Sequence, residues 1–159
     1  MLKILTFGEK STSQSSKPKV MGQITEKIIL ENSVHRELHF AGTLDADKVK
    51  THTMNAIVDT GAVMLALPQD VVEVLGLREQ RTIVVRYADE RRETLSVCGP
   101  VFIEVSGRSM NTECIVLPPT SEALIGQTVL ETLDLLADCQ NQKLMPRPES
   151  PIYPLLNLK

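Results

Sequence analysis

No stretch of this chain is long and apolar enough to cross a bilayer as a helix. The longest uninterrupted apolar run is Ala62 to Leu67, far below the ~20 residues a membrane helix requires. The stretch Ile4-Leu5-Thr6-Phe7 behind Lys3 is too short for the apolar core of a secretory signal. Cysteine is scarce. Cys98, Cys114 and Cys139 are odd in number and far apart, so no Cys-x-x-Cys pair supports a zinc knuckle or a redox motif, and free thiols in a reducing cytoplasm are expected. Charge of one sign is lacking too. Seventeen Lys+Arg face 20 Asp+Glu for a net −3, with both signs interspersed. That excludes an advertised phosphate-binding patch, so neither nucleic acid nor a membrane is an expected partner. No repeat of solenoid length, no His-Glu-x-x-His and no Gly-x-Ser-x-Gly occurs.

What is present is an ordinary globular composition. The 159 residues are 42% apolar and 23% charged, enough for one compact domain with a real core. Residues 1–20 read as a disordered tail, because Ser11-Thr12-Ser13-Gln14-Ser15-Ser16 and its neighbours have nothing to bury. Met21-Gly22 would also serve as a natural start. Four of the nine prolines (Pro146, Pro148, Pro151, Pro154) crowd the other end, which predicts an extended tail over residues 146–159. The folded unit is then residues 21–145.

Inside it the apolar period is mostly two. Ile24 to Leu30, Thr82 to Tyr87, Glu93 to Cys98, Val101 to Val105 and Asn111 to Leu117 read as strands, with Gly99-Pro100 and Ser106-Gly107 as turns. Short strands recurring about every ten residues predict an all-β barrel or sandwich. Two segments read as helix. Gln69 to Leu75 follows Pro68 and stops at Gly76, and Thr128 to Leu133 follows Gly126-Gln127, with Thr128 or Gln127 as a cap.

The sharpest motif is Asp59-Thr60-Gly61-Ala62, delivered by the apolar strand Ala56-Ile57-Val58 and followed by the run Val63 to Leu67. Chance alone yields an Asp-Thr-Gly in roughly 3% of chains this long, and Asp59 bonding its own backbone in an Asx-turn is the plain alternative. A second element, Ala123-Leu124-Ile125-Gly126 leading into a helix, gives the first its weight. Together they resemble the retropepsin-like aspartic proteases, especially the small bacterial members, over about residues 21–145. The order of strand, Asp-Thr-Gly-Ala, strand and then hairpin matches as well.

That resemblance implies a closed acid-protease barrel with one or two short helices, no cofactor and no metal. It makes Asp59 the catalytic carboxylate, with Thr60 stiffening the turn across a dimer and Gly61 and Ala62 lying against substrate backbone. Tyr87, Ala88, Asp89 and Glu90 would form the flap hairpin, and Leu124, Ile125 and Gly126 would support the site. Three positions depart from the pattern. Val63 and Gln127 stand where retroviral proteases carry an Asp–Arg ion pair, and Glu90 stands where a flap glycine is common.

The chemistry points the same way. Hydrolysing a peptide with water needs a base and an acid, and two adjacent carboxylates sharing one proton supply both. The next candidate acids, Asp45 and Asp47, fall in what reads as an exposed loop. The second carboxylate must come from another copy, so a C₂ homodimer acting on a peptide or protein substrate is expected. An inactive dimeric interaction module keeping the same turn is the alternative. A plain β-barrel binding domain is a third reading, which a wide separation of Leu124-Ile125-Gly126 from Asp59 would favour.

Other candidates weigh less. His35 and His39 are four apart, which suits zinc only on a helix, and they read instead as a surface or edge-strand pair. His52 has no nucleophile motif to serve. Cys98 and Cys114 lie in apolar strands and read as core, and the charges from Arg86 to Glu93 read as a solvated hairpin tip. The apolar end of the tail, Ile152 to Leu158, predicts hydrophobic docking onto the barrel or a partner.

Overall fold

The computed structural model describes residues 22–158. The tail expected over residues 1–20 and the start at Met21 lie outside the described residues. Chain order is β1 (Thr25–Asn32), α1 (Ser33–Phe40), β2 (Thr51–Val58), β3 (Leu65–Pro68), α2 (Gln69–Leu75), β4 (Arg78–Arg86), β5 (Arg92–Val105), β6 (Arg108–Leu117), β7 (Ala123–Ile125), α3 (Gln127–Thr132), β8 (Leu135–Asp138) and β9 (Lys143–Pro146). None of the described helices is long and apolar enough to cross a membrane.

Six strands close into a barrel in the order β1-β2-β7-β3-β6-β5, and β5 returns to β1 through pairs such as Leu30 with Ile103. Strand β4 lies outside this ring and pairs with the first half of β5 as a projecting hairpin. The all-β, retropepsin-like barrel expected from sequence is therefore the fold. The pattern that builds it is plain in β1, where Ile28 and Leu30 point inward and are fully buried while Lys27 is exposed. They join Leu65, Leu67, Ile103, Ile125 and Val129 in one continuous core. Strand β3 has neighbours on both edges and is buried at all four positions.

Several local expectations need correction. There are three short α-helices among the described residues, not one or two. Helix α1 was not expected. It begins because the Asn32 side chain accepts the His35 amide at 3.1 Å, while the same side chain donates to the Leu75 and Gly76 carbonyls at the end of α2. His35 and His39 thus sit on a helix rather than an edge strand. The Lys50 amide donates to His35 Nδ1, and His39 Nδ1 lies 2.9 Å from the Leu44 carbonyl. No third ligand gathers beside them among the described residues. The Gly99-Pro100 turn is a bulge inside one long strand, β5, where pairing with β6 shifts between Cys98 and Val101. Neither Thr128 nor Gln127 caps α3 with its side chain; its N-cap is Gly126. Helix α2 begins after Pro68 and ends on left-handed Gly76, as its sequence predicts.

The hairpin β8–β9, absent from the sequence reading, sits toward the Asp59 end of the barrel. Glu26, opposite Ala56 in register, accepts the Leu144 amide at 2.6 Å. Beyond it the tail is held by polar groups. Buried Arg108 donates to the carbonyls of Leu133, Asp134 and Ser150. Buried Asp134 accepts the Ser150 hydroxyl, the Leu155 amide and the Arg147 guanidinium. These bonds, Ser150 foremost, hold the Asp134 carboxyl down at about 2. The expected hydrophobic docking is not made within the chain: Ile152, Tyr153, Leu155, Leu156 and Leu158 are all exposed.

Candidate active site

Strand β2 ends at Val58, and the chain turns at once through Asp59, Thr60 and Gly61. Both edges of that strand end are held. The Val58 amide donates to Ile24 at 2.8 Å, and the Asp59 amide donates to Ile125 at 3.0 Å. Strand β7 runs parallel to β2, with Ile57 opposite Leu124 and Val58 opposite Ile125, and antiparallel to β3, with Ala66 opposite Leu124. The Leu124-Ile125-Gly126 element is therefore packed between the two strands that flank the turn. This removes the ground on which an accidental Asp-Thr-Gly in an unrelated barrel rested.

The turn is closed by backbone bonds. Asp59 Oδ1 accepts the Gly61 amide at 2.9 Å, and the Asp59 carbonyl accepts the Ala62 amide at 3.1 Å. The Asx-turn is thus present, and it fixes the carboxylate's direction while no hydrogen bond among the described residues reaches Oδ2. From the other side, the first amides of α3 close on the turn. Gln127 donates to Ala62 at 2.8 Å and Thr128 to Val63 at 2.9 Å, so helix-end donors that lack an intrahelical partner are used to pin the loop. Gly126 makes this approach sterically feasible. Its φ of −91° suits any residue, but a Cβ there would lie 2.7 Å from the Met64 backbone nitrogen. Glycine is needed for closeness, not for conformation.

Asp59 and Ala62 are half-buried, and Thr60 and Gly61 are exposed. Val63 is 70% exposed, and the Gln127 side chain is spent on Glu131 at 2.8 Å. The two positions that hold an ion pair in retroviral proteases are neutral here and not joined by their side chains. Asp45 precedes a short 3-10 turn, Ala46–Lys48, and Asp47 lies within it; both are exposed. His52 is half-buried in β2 opposite Leu30.

Tyr87, Ala88, Asp89 and Glu90 form the tip between β4 and β5. Tyr87 exchanges backbone bonds with Arg91 and Glu90, and Glu90 takes a φ of +67°, the position that glycine favours in such a three-residue loop. Sequence shows a glycine missing there, and the structure shows which bend the glutamate must adopt. Cys98 and Cys114 are buried directly opposite each other in β5 and β6. Burial pushes both thiols up, Cys114 to about 12, so they stay protonated as core residues. The clamp of the turn by α3 is what sequence reasoning missed, since its signal is one of backbone amides and leaves no residue signature.

A family model described as aspartyl protease matches residues 46–129, more than half of the chain and spanning both the Asp59 turn and the Leu124-Ile125-Gly126 element. The chain belongs to the retropepsin-like aspartyl protease family. No curated protein matches it closely enough to be counted a relative.

Proposed function

We propose that this protein is an aspartic endopeptidase whose site is completed by a second copy of the chain. The observation that carries this reading is the Asp59 turn, locked by β7 and α3, with no hydrogen bond to Oδ2 among the described residues. Two such turns facing across a two-fold axis bring two carboxylates together. The ionised Asp59 takes a proton from a water, and the water oxygen attacks the peptide carbonyl. The protonated Asp59 of the other copy donates to the carbonyl oxygen. Collapse of the tetrahedral intermediate breaks the C–N bond: the first Asp59 passes the water's proton to the departing nitrogen, and a diol hydroxyl returns one to the second Asp59. Thr60 stiffens the paired turns, Gly61 and Ala62 lie along the substrate backbone, and the Tyr87–Glu90 tip covers it. The substrate is a peptide or protein in extended form, and the reaction needs no cofactor.

A second reading, a dimeric interaction module without turnover, draws on the neutral Val63 and Gln127. The two separate by one experiment on peptide libraries. Under the protease reading the wild type cleaves, with a rate that passes through a maximum in pH because the pair must be singly protonated. Asp59→Asn, nearly isosteric, should lose turnover at least ~10³-fold while melting and dimer mass stay unchanged. Turnover retained in that variant contradicts the assignment. Silence of the wild type on every peptide favours the module.

A further inference from the structure

The tip of the β4–β5 hairpin is braced by its side chains, and its root is where the pairing is irregular. Tyr87 accepts the Glu90 amide at 3.0 Å and donates its own to Arg91 at 2.8 Å, and Glu90 sits at φ +67°. Glycine at that position would leave the bend loose; a side chain narrows the conformations open to it. Asp89 Oδ1 accepts the Arg91 amide at 3.0 Å. The register sets Ile83 opposite Leu95 and Val85 opposite Glu93, so Ile83, Val85 and Tyr87 share the half-buried face of the hairpin. On that face the Tyr87 hydroxyl donates to Glu93 Oε2 at 2.6 Å, and the Arg91 guanidinium lies 4.4 Å over the Tyr87 ring. Arg86 and Glu90 approach to 3.7 Å.

The root is irregular in pairing but held as well. Pairing with β5 slips between Glu79 and Arg81, and pairing of β5 with β6 slips between Cys98 and Val101. The Gln80 side chain spans the two irregularities, donating to the Gly99 carbonyl at 2.7 Å. The Ser96 hydroxyl donates to Glu79 at 2.7 Å, and the Arg81 guanidinium donates to Glu113 at 2.9 and 3.2 Å, so side chains hold the root across its irregular pairing.

We propose that Tyr87 and Glu93 are positioning residues that keep the hairpin tip in one shape before peptide binds. This rests on the hairpin being the flap over Asp59. The consequence is that substrate meets a pre-formed tip, and loosening the tip weakens binding more than chemistry.

Amide hydrogen exchange on the free protein, together with peptide-cleavage kinetics, tests the proposal in Tyr87→Phe, Glu93→Gln and Gln80→Ala. Tyr87→Phe should speed exchange at the Tyr87 and Glu90 amides and raise KM about three- to tenfold with kcat nearly unchanged, the loss of one charge-assisted hydrogen bond. Glu93→Gln keeps an oxygen acceptor but gives up the charge, so it should speed exchange and raise KM by less than Tyr87→Phe does. Gln80→Ala should speed exchange around Arg81 and Val97 and leave the tip as it was. Exchange and KM unchanged in Tyr87→Phe would overturn the proposal, as would faster exchange with no change in KM, or Glu93→Gln proving as harmful as Tyr87→Phe. If the wild type cleaves nothing, the protease reading fails separately, and unchanged tip exchange in Tyr87→Phe still overturns the clasp.

Discussion

At the scale of single residues, the site depends on contacts that the motif letters do not spell out. Asp59 is legible because a carboxylate after an apolar strand and before glycine is a recognisable pattern. The function of Gly126 is less legible, since a glycine at φ −91° carries no conformational signature. Its reason is the Met64 backbone pressed against it. Gly126→Ala should therefore force β7 and the turn apart. A cost of about 1–3 kcal/mol from overpacking is expected in chemical denaturation, together with a loss of turnover larger than the loss of stability explains. A variant as stable as wild type would show that the approach relaxes freely. The absent ion pair at Val63 and Gln127 was readable from sequence; that Gln127 turns its amide to Glu131 was not.

At the scale of elements, the strands with clean alternation were legible and the joints between them were not. Gly99-Pro100 reads as a turn by composition, yet Gly99 is buried 3.3 Å, measured from a notional Cβ, from the Glu113 backbone. Strand β5 runs through it with a shifted register because β6 continues on its far side. Helix α1 was hidden by its brevity and by its place directly after a strand. Its signal was Asn32, a residue well suited to cap a helix. Asn32 is buried and ties the start of α1 to the end of α2. Asn32→Ala leaves the α2 carbonyls and the α1 amide without partners, so a loss of about 1–3 kcal/mol is expected. Thermal melting measures it, and Asn32→Ser, which keeps a capping oxygen but not the donor to α2, should fall between. The short hairpin β8–β9 gave no periodic signal, being too brief for alternation to show.

At the scale of the whole molecule, the described residues form one barrel with a tail tied back to it at Asp134 and Arg108. The Asp134 carboxyl is held at about 2 against an ordinary value of 3.8. Its folded value is depressed, so its contribution is fully present above pH ~4 and fades as pH falls toward about 2. Acid unfolding followed by circular dichroism should show that loss in the wild type. Asp134→Asn should be less stable at neutral pH and lack this part of the acid limb; an unchanged acid limb would mean the tail is not held there. The apolar side chains from Ile152 to Leu158 stay exposed, a surface suited to association with another copy. The protease reading calls for association as well, because one chain supplies one Asp-Thr-Gly. The most direct measurement adds Asp59→Asn protein to a fixed amount of wild type, at concentrations where dimers are saturated and subunits have time to exchange. If each site needs one Asp59 from each copy, an equal amount of the variant should cut activity to about half, by random pairing into mixed dimers that do not turn over. Activity that holds steady as the variant is raised to large excess would contradict the shared site.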